Sequence, residues 1–402
     1  MKIKHLVFFL FFTLAAAALT VYIKNDKLPR APQKDDSVKL AHIYADTSSF
    51  PTLLQMVDLV KTNPNEPRFI FWKRSTTLNK KDPLFKNSYI VKFSPEVSLG
   101  KSLKKLQKGL TVFLNSYPKA EVIIHINKDQ NPLVWLVLKT VPKDRIRHIH
   151  FYEESFGSTT FQIAGGLLNE EQAKRLLERE TPPSHWGVNY ALSLLPFYPS
   201  TVHLAFSDII LQKPHFKQLL AKAKAVEEVD FKKIAQELTE EQKKDLLRLN
   251  AIKETHLQAF SSGKPVILYT LGYFNGIRRQ DQLQLNVLDK SLKGEMPFIP
   301  QPRKYTWLYK EHPWLTKDRF LKDSIRQHWP QVKPLPKEMP LEILFLAGYM
   351  PDKVFGYSSS LFFALPAENI LFYIQRPNDV YLPLLKQTGK LTDRQIFNLE
   401  DF

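Results

Sequence analysis

The stretch Pro351-Asp352-Lys353-Val354-Phe355-Gly356-Tyr357-Ser358-Ser359-Ser360-Leu361-Phe362-Phe363-Ala364-Leu365-Pro366 runs a short apolar strand, 354–357, into three consecutive hydroxyls. A glycine next to small hydroxyl residues at a strand end lets backbone N–H and side-chain O–H groups converge on an anion such as a phosphate. Upstream, Glu342 stands at the head of the apolar run 341–349, and further back lies Glu311-His312-Pro313. Carboxylate, imidazole and anion cradle in this order point to chemistry on a sugar nucleotide rather than to a simple binding protein.

Working outward, short apolar runs alternate with helical periodicity. Strands are expected over 39–46, 68–72, 121–127, 146–152, 265–270, 305–309, 354–357 and 369–374. Helices are expected over 50–62, 99–117, 132–140, 280–292 and 341–349, with a charged helical region over 213–260 that contains the capping box Thr239-Glu240-Glu241-Gln242. Alternation of this kind predicts parallel sheets wrapped by helices, an α/β fold. It stops and restarts near residue 260, so the reading divides the chain into a linker over 24–38, a first Rossmann-like lobe over 39–260, a second over 261–385 and a tail over 386–402. The tail is expected to pack back on the first lobe. Ligands of open α/β sheets bind beyond the carboxyl ends of the strands, which is where Glu153-Glu154, 270–274 and 310–313 fall.

Bulk properties narrow the classes. A chain of 402 residues accommodates two cores, and 44% hydrophobic with 12% aromatic residues is a globular composition. The net charge of +17 favours anionic partners. Lysines are scattered, without an Arg-rich tract or zinc-finger spacing, so nucleic acid is not an expected partner. With no cysteine, disulfides, thiolate catalysis and Cys-type zinc sites are excluded. No H-E-x-x-H, Asp-x-Asp, GxGxxG, P-loop or G-x-S-x-G pattern occurs, so no metal and no dinucleotide cofactor is expected.

Residues 6–23 form an uncharged run behind Lys2, Lys4 and His5. It reads as a signal-anchor at the short end of what spans a bilayer, or as a signal peptide cleaved near Ala16-Ala17-Ala18. Lys24, Lys27, Arg30 and Lys34 make the downstream side slightly richer in positive charge, which places the body of the protein in the cytoplasm, with a periplasmic or secreted location as the alternative.

Three residue sets carry the chemistry. Glu153-Glu154 ends the strand over 146–152, and successive strand side chains face opposite ways, so one carboxylate faces the cleft as a general base while the other faces the flank. Read alone, the pair is also what a solvated strand end looks like. His312 sits at a strand tip made rigid by Pro313, with Lys310 adjacent, and an imidazole there can protonate a leaving phosphate or can simply be solvated. Glu342 can bind a ribose diol or merely begin a helix.

Together these motifs resemble the glycosyltransferase family 80 bacterial sialyltransferases. The resemblance rests on 351–366 with Glu342, on Lys310-Glu311-His312-Pro313 and on Tyr152-Glu153-Glu154. Weaker likeness lies in Tyr44-Ala45-Asp46-Thr47-Ser48-Ser49-Phe50-Pro51, His125-Ile126-Asn127 and 271–276. It implies a GT-B fold, two Rossmann-like domains facing a deep cleft, and metal-independent inverting transfer of sialic acid from CMP-sialic acid to a galactose-containing glycan or lipooligosaccharide at the bacterial inner membrane. By position it implies Glu154 as general base and His312 as the group assisting phosphate departure. Glu342 would hold the ribose and Ser359 and Ser360 the phosphate, with Lys310, Pro313 and Asn127 also on the donor side. Asp46, Glu153 and Phe274 would face the acceptor. The chain departs from the family in carrying Glu153-Glu154-Ser155-Phe156 where relatives have two Asp and a Gly, and in Trp314 after the His-Pro pair. These departures keep two alternatives open: a transferase for a different nonulosonic acid or nucleotide sugar, and a non-catalytic membrane-tethered glycan-binding relative.

Overall fold

Apolar stretches bounded by polar turns become strands buried on both faces. β1 (Leu40–Asp46), β2 (Arg68–Trp72), β3 (Ser88–Ile90), β4 (Glu121–Asn127), β5 (Ile146–Tyr152), β6 (Ser200–Leu204) and β7 (Val226–Glu228) lie in the first half. β8 (Val266–Thr270), β9 (Thr306–Lys310), β10 (Lys333–Pro334), β11 (Lys353–Tyr357), β12 (Ile370–Gln375) and β13 (Ile396–Asn398) lie in the second. The structure is a computed structural model that describes residues 28–72, 78, 82–93, 99–154, 169–180, 190–204, 225–274, 277–312, 319–336, 340–359, 361–377, 379 and 381–402. The expected membrane segment over 6–23 lies outside these, and no helix among the described residues is long and apolar enough to cross a membrane.

The strands form a seven-stranded sheet in the order β3-β2-β1-β4-β5-β6-β7 and a six-stranded sheet in the order β10-β9-β8-β11-β12-β13. Every pairing is parallel. Both orders reverse direction once, between β1 and β4 and between β8 and β11, which is the doubly wound arrangement. The helices are α1 (Ser49–Lys61), α2 (Leu99–Ser116), α3 (Asn131–Thr140), α4 (Glu170–Glu178), α5 (Tyr190–Leu194), α6 (Phe231–Glu237), α7 (Glu240–Leu249), α8 (Glu254–Leu257), α9 (Arg278–Lys293), α10 (Phe320–His328), α11 (Glu342–Leu346), α12 (Leu361–Ala364) and α13 (Leu382–Gln387). α2 shows why the pattern was readable: Leu103, Leu106, Leu110 and Phe113 recur at helical spacing and are buried, while Lys101, Lys104 and Lys108 are exposed. α7 begins on the expected capping box, with Thr239 and Gln242 each accepting from the other's backbone N–H.

One face of the first sheet, with Ile43, Phe69, Phe71, Ile124 and Ile126, packs on Leu106, Leu110 and Phe113 of α2 and on Val134 and Val137 of α3. The other face contributes Tyr44, Ile70 and Trp72 to a cluster that also holds Leu53 and Val57 of α1 and Leu246 of α7. That same cluster continues into the second half through Leu268, Leu308, Ile343, Phe345 and Tyr373. At about 1.5–3 kcal/mol for each fully buried apolar side chain, this joint cluster ties the two halves together. The far face of the second sheet packs Ile267, Tyr269, Phe355 and Phe372 on Leu285 and Leu288 of α9 and Ile325 of α10.

Two expectations are corrected. The helix expected over 341–349 closes after five residues as α11. Gly348 takes a left-handed φ of +88°, its N–H bonds Phe345 O, and Tyr349 N–H bonds Leu344 O, a Schellman stop that a glycine makes easy. The tail expected to fold back on the first lobe instead adds β13 to the second sheet beside β12. The return contact is made earlier, where Leu384 of α13 enters the first sheet's cluster.

Gly356 is where β11 meets β8. Its φ is +139°, and a Cβ there would lie 2.3 Å from both Thr270 O and Thr270 Oγ1. Replacement by Ala is therefore expected to destabilise the fold by roughly 2–4 kcal/mol through backbone strain plus overpacking. Urea unfolding should show a lower midpoint at an unchanged slope, and a midpoint within error of the parent would show that the two strands can part there at no cost.

Candidate active site

Parallel strands deliver their carboxyl ends to one edge, and here the edges of the two sheets meet. β5 ends at Tyr152 and is followed by Glu153-Glu154. β8 ends at Thr270, β9 at Lys310, and β11 at Tyr357 followed by Ser358-Ser359. A cavity of about 230 Å³ is lined by Glu154 from the first half and by Thr270, Lys310, Glu311, His312, Glu342, Ser358 and Ser359 from the second. Phe50, Phe231, Leu341, Tyr357 and Leu361 add apolar wall.

Glu154 is held by its own half. Its Oε2 accepts from Gln130 Nε2 at 2.8 Å and from Asn127 Nδ2 at 3.3 Å, and its backbone N–H donates to Asp129 Oδ2 at 2.6 Å. Asn127 Nδ2 also donates to Asp46 Oδ1 at 2.9 Å, so one amide bridges two carboxylates, while Asn127 Oδ1 accepts from Asp129 N–H at 2.9 Å. Asn127 is fully buried at the tip of β4, so this bridge is fixed. Asp46, also fully buried, takes N–H groups from Thr47 and Ser48 and the hydroxyl of Thr52. Burial pushes its carboxyl up to about 7; the hydrogen bonds from Thr52, Asn127 and Ser48 pull down, and the charge of Glu154 adds to the rise.

On the facing side, Lys310 is buried and donates Nζ to Glu311 O at 3.0 Å. His312 stacks on Tyr273 with ring centres 6.1 Å apart. Burial raises the Glu342 carboxyl, against the pull of its own backbone N–H and of Lys310. Ser359 Oγ accepts from Leu361 N–H at 3.3 Å, opening α12, and Ser358 Oγ lies 2.7 Å from Tyr373 Oη, which in turn lies 2.9 Å from Asp379 Oδ2. Asp379 also accepts from the backbone of Arg376 and Tyr381, so the hydroxyl loop rests on a half-buried polar chain.

The cavity thus gathers Glu154, Lys310, His312, Glu342 and Ser359, with Asn127 and Asp46 directly behind Glu154. Four expected placements differ in the structure: Asn127, expected on the donor side, is fully buried behind Glu154 and off the cavity wall, and Asp46, Glu153 and Phe274 do not face an acceptor. Asp46 has its oxygens occupied by its own chain and lies behind Asn127, so it supports the site rather than facing an acceptor. Glu153 is fully buried and is not part of the cavity wall, which takes Glu154 instead. Phe274 packs edge-on against Tyr357 at 4.5 Å, in the second sheet's cluster and off the cavity wall. Pro313 and Ser360 lie outside the described residues.

The sequence reading overlooked two features. Phe231 reaches the cavity from the first turn of α6; its signal was Asp230, an N-cap accepting from Lys233 N–H just before an aromatic. It also overlooked a row of rings crossing the first sheet below Asn127. His42, His125, His150 and His203 lie with successive centres 5.6, 5.0 and 5.2 Å apart. His42 Nε2 lies 2.9 Å from Glu66 Oε2, its Nδ1 3.3 Å from His125 Nε2, and His125 Nδ1 3.0 Å from Tyr152 Oη, which bonds Asp58. Burial first, then the neighbouring imidazole of His125, lowers His42 and His150 to about 3, so these two rings are neutral near pH 7. A neutral imidazole offers one donor and one acceptor, which suits a chain of this kind. The signal was His at every second position: 148 and 150 within one strand, and 42 and 125 in register-related strands.

Asp46 makes a prediction with a definite sign. Its carboxyl titrates near 3.8 when unfolded and near 7 when folded, so the folded state keeps a proton that the unfolded chain releases, and charging Asp46 between those values lowers stability. The stability of Asp46→Asn relative to the parent should therefore rise from pH 4 to pH 7 and level off above, read by urea unfolding across that range. A difference that does not vary with pH would mean Asp46 titrates as an ordinary carboxyl.

Comparisons with known proteins agree with this fold. Residues 195–384 match the family model described as Sialyltransferase PMO188. A search of curated proteins finds no match. Among solved structures, a sialyltransferase from Photobacterium damsela superposes with a TM-score of 0.73 at 16% identity, covering 90% of this chain and 81% of that one. The α-2,3-sialyltransferase of Photobacterium phosphoreum gives 0.67 at 17% identity over 90% and 99%. A 2,6-sialyltransferase of Photobacterium sp. JT-ISH-224, solved with CMP and lactose, gives 0.70 at 18% identity over 90% and 78%. At these identities the structures speak to the fold, which is GT-B, and the sequence match speaks to the family. The resemblance read from the motifs is borne out: residues 195–384 match the sialyltransferase family model, and the whole takes the GT-B fold seen in the Photobacterium sialyltransferases.

Proposed function

We propose that this protein is a sialyltransferase that moves sialic acid from CMP-sialic acid to a galactose-type acceptor by a metal-independent, inverting displacement. The observation that carries the reading is the meeting, in one cavity, of a carboxylate from the first sheet with an imidazole, a lysine, a carboxylate and hydroxyls from the second. Direct displacement needs a base on one side of the reacting carbon and a stabilised leaving group on the other.

Glu154 takes the acceptor's hydroxyl proton as that oxygen attacks the anomeric carbon. Asn127 and Gln130 grip Oε2, which turns the carboxylate so that Oε1 faces the substrate. As the bond to phosphate breaks, negative charge grows on the leaving CMP. His312 donates a hydrogen bond or a proton to it, Lys310 supplies fixed positive charge, and the Ser358-Ser359 loop supplies donors. Groups already oriented in a partly dry site lower the barrier because they need not reorganise as charge develops. Glu342 accepts from the ribose hydroxyls. The donor's own carboxylate stabilises the positive charge building on the sugar ring, so the described groups suffice without a metal. Residues 6–23 would tether this body to the bacterial inner membrane, with the cavity on the cytoplasmic side.

The full-length chain, given CMP-sialic acid and lactose in EDTA, should form sialyllactose. Glu154→Gln and His312→Ala should each lower kcat by about 10²–10⁴-fold with folding intact by circular dichroism. Transfer from only a different CMP-nonulosonate would correct the donor. No transfer from any of them, together with no heat of CMP binding, would discard the enzyme reading.

A further inference from the structure

Next to the reaction cavity lies a larger chamber of about 660 Å³, a size ordinary for a ligand site. Phe231 and Ala364 belong to the walls of both, so the two spaces adjoin there. The chamber draws on both halves of the protein. Val229 and Phe231 come from the first; Phe345, Met350 and Phe363 from the second. Phe231, Met350 and Phe363 are only half-buried.

The mouth is polar. Lys232 and Gln236 project from α6, and Lys243 pairs with Glu240 at 2.8 Å. Lys390 donates Nζ to Leu365 O. An apolar interior behind a hydrogen-bonding mouth, adjoining a saccharide site, fits a molecule that is sugar at one end and hydrocarbon along its length. Half-buried aromatic surface of this kind gains free energy when a ligand displaces water from it.

Resting on the transferase reading above, we propose that this chamber receives the apolar aglycone of an amphipathic acceptor whose sugar end reaches Glu154. Phe231 stands at the junction, against the sugar on one side and the hydrocarbon on the other.

The test uses the full-length protein and a series of methyl, butyl, hexyl and octyl lactosides, each below its micelle-forming concentration, with CMP-sialic acid as donor. The acceptor KM should fall by about two- to fourfold for each methylene that enters the chamber, at nearly constant kcat. Phe363→Ser should flatten the series while leaving methyl lactoside unchanged. Gln236→Trp, a change on the exposed face of α6 that narrows the mouth, should do the same without touching the interior. Calorimetry of octyl and methyl lactoside in the presence of CMP reads the same preference without turnover. Absence of transfer with retained, variant-sensitive octyl binding would remove the transferase reading and leave the chamber assigned. A flat series, or a steep one that neither variant alters, would overturn the chamber.

Discussion

The apolar cluster shared by the two sheets is the constraint on which the rest depends. Tyr44, Ile70 and Trp72 on one sheet and Leu268, Leu308 and Tyr373 on the other are buried together with α1, α7 and α11 between them. Because all strands are parallel, each sheet presents its loops at one edge only. The shared cluster turns those two edges toward one another. Each Rossmann-like half alone has half a site: a carboxylate with its supports in the first, and a cationic, hydroxyl-bearing wall in the second. Burial of hydrocarbon between the sheets is what brings them within one cavity.

Within that frame the first half holds its carboxylate through a chain of buried polar groups. Asn127 is bonded on three sides, to Asp46, Glu154 and the Asp129 backbone. A buried amide satisfied in this way has one orientation open to it, and leaving any of these groups unmade would cost about 1–3 kcal/mol. The second half works differently: its loop serines rest on Tyr373 and Asp379, while Lys310 is buried at the end of β9. The halves therefore build the cavity differently: a carboxylate fixed by buried amides in one, a lysine, an imidazole and loop hydroxyls in the other.

Much of this was legible in the chain. Strand limits over 121–127, 146–152 and 68–72 could be read because parallel strands buried on both faces are nearly continuous apolar runs, and the start of α7 could be read from its capping box. The motif residues Glu154, Lys310, His312, Glu342 and Ser359 lie around one cavity, since strand ends in such folds converge. What could not be read depended on contacts distant in sequence. Nothing local says that Asp46 is covered by Asn127, 81 residues away, or that Phe274 turns onto Tyr357 instead of into the cleft. Alternation along β5 allowed either Glu153 or Glu154 to face outward, and only the packing of β6, whose His203 carbonyl takes the Glu153 N–H, shows which. The early stop of α11 was written in Gly348 but competed with an unbroken apolar periodicity. The side of the sheet to which β13 returns was set by pairing with β12, a choice with no local signature.

Gly356 has a consequence for how such a protein can change over time. Any one-base change that alters a glycine codon either ends the chain or installs a side chain with a Cβ, and at this position a Cβ meets the Thr270 backbone at 2.3 Å. Drift is therefore opposed at the seam between β8 and β11. Whatever else changes in the chain, substitution at this codon works against the pairing of the two strands.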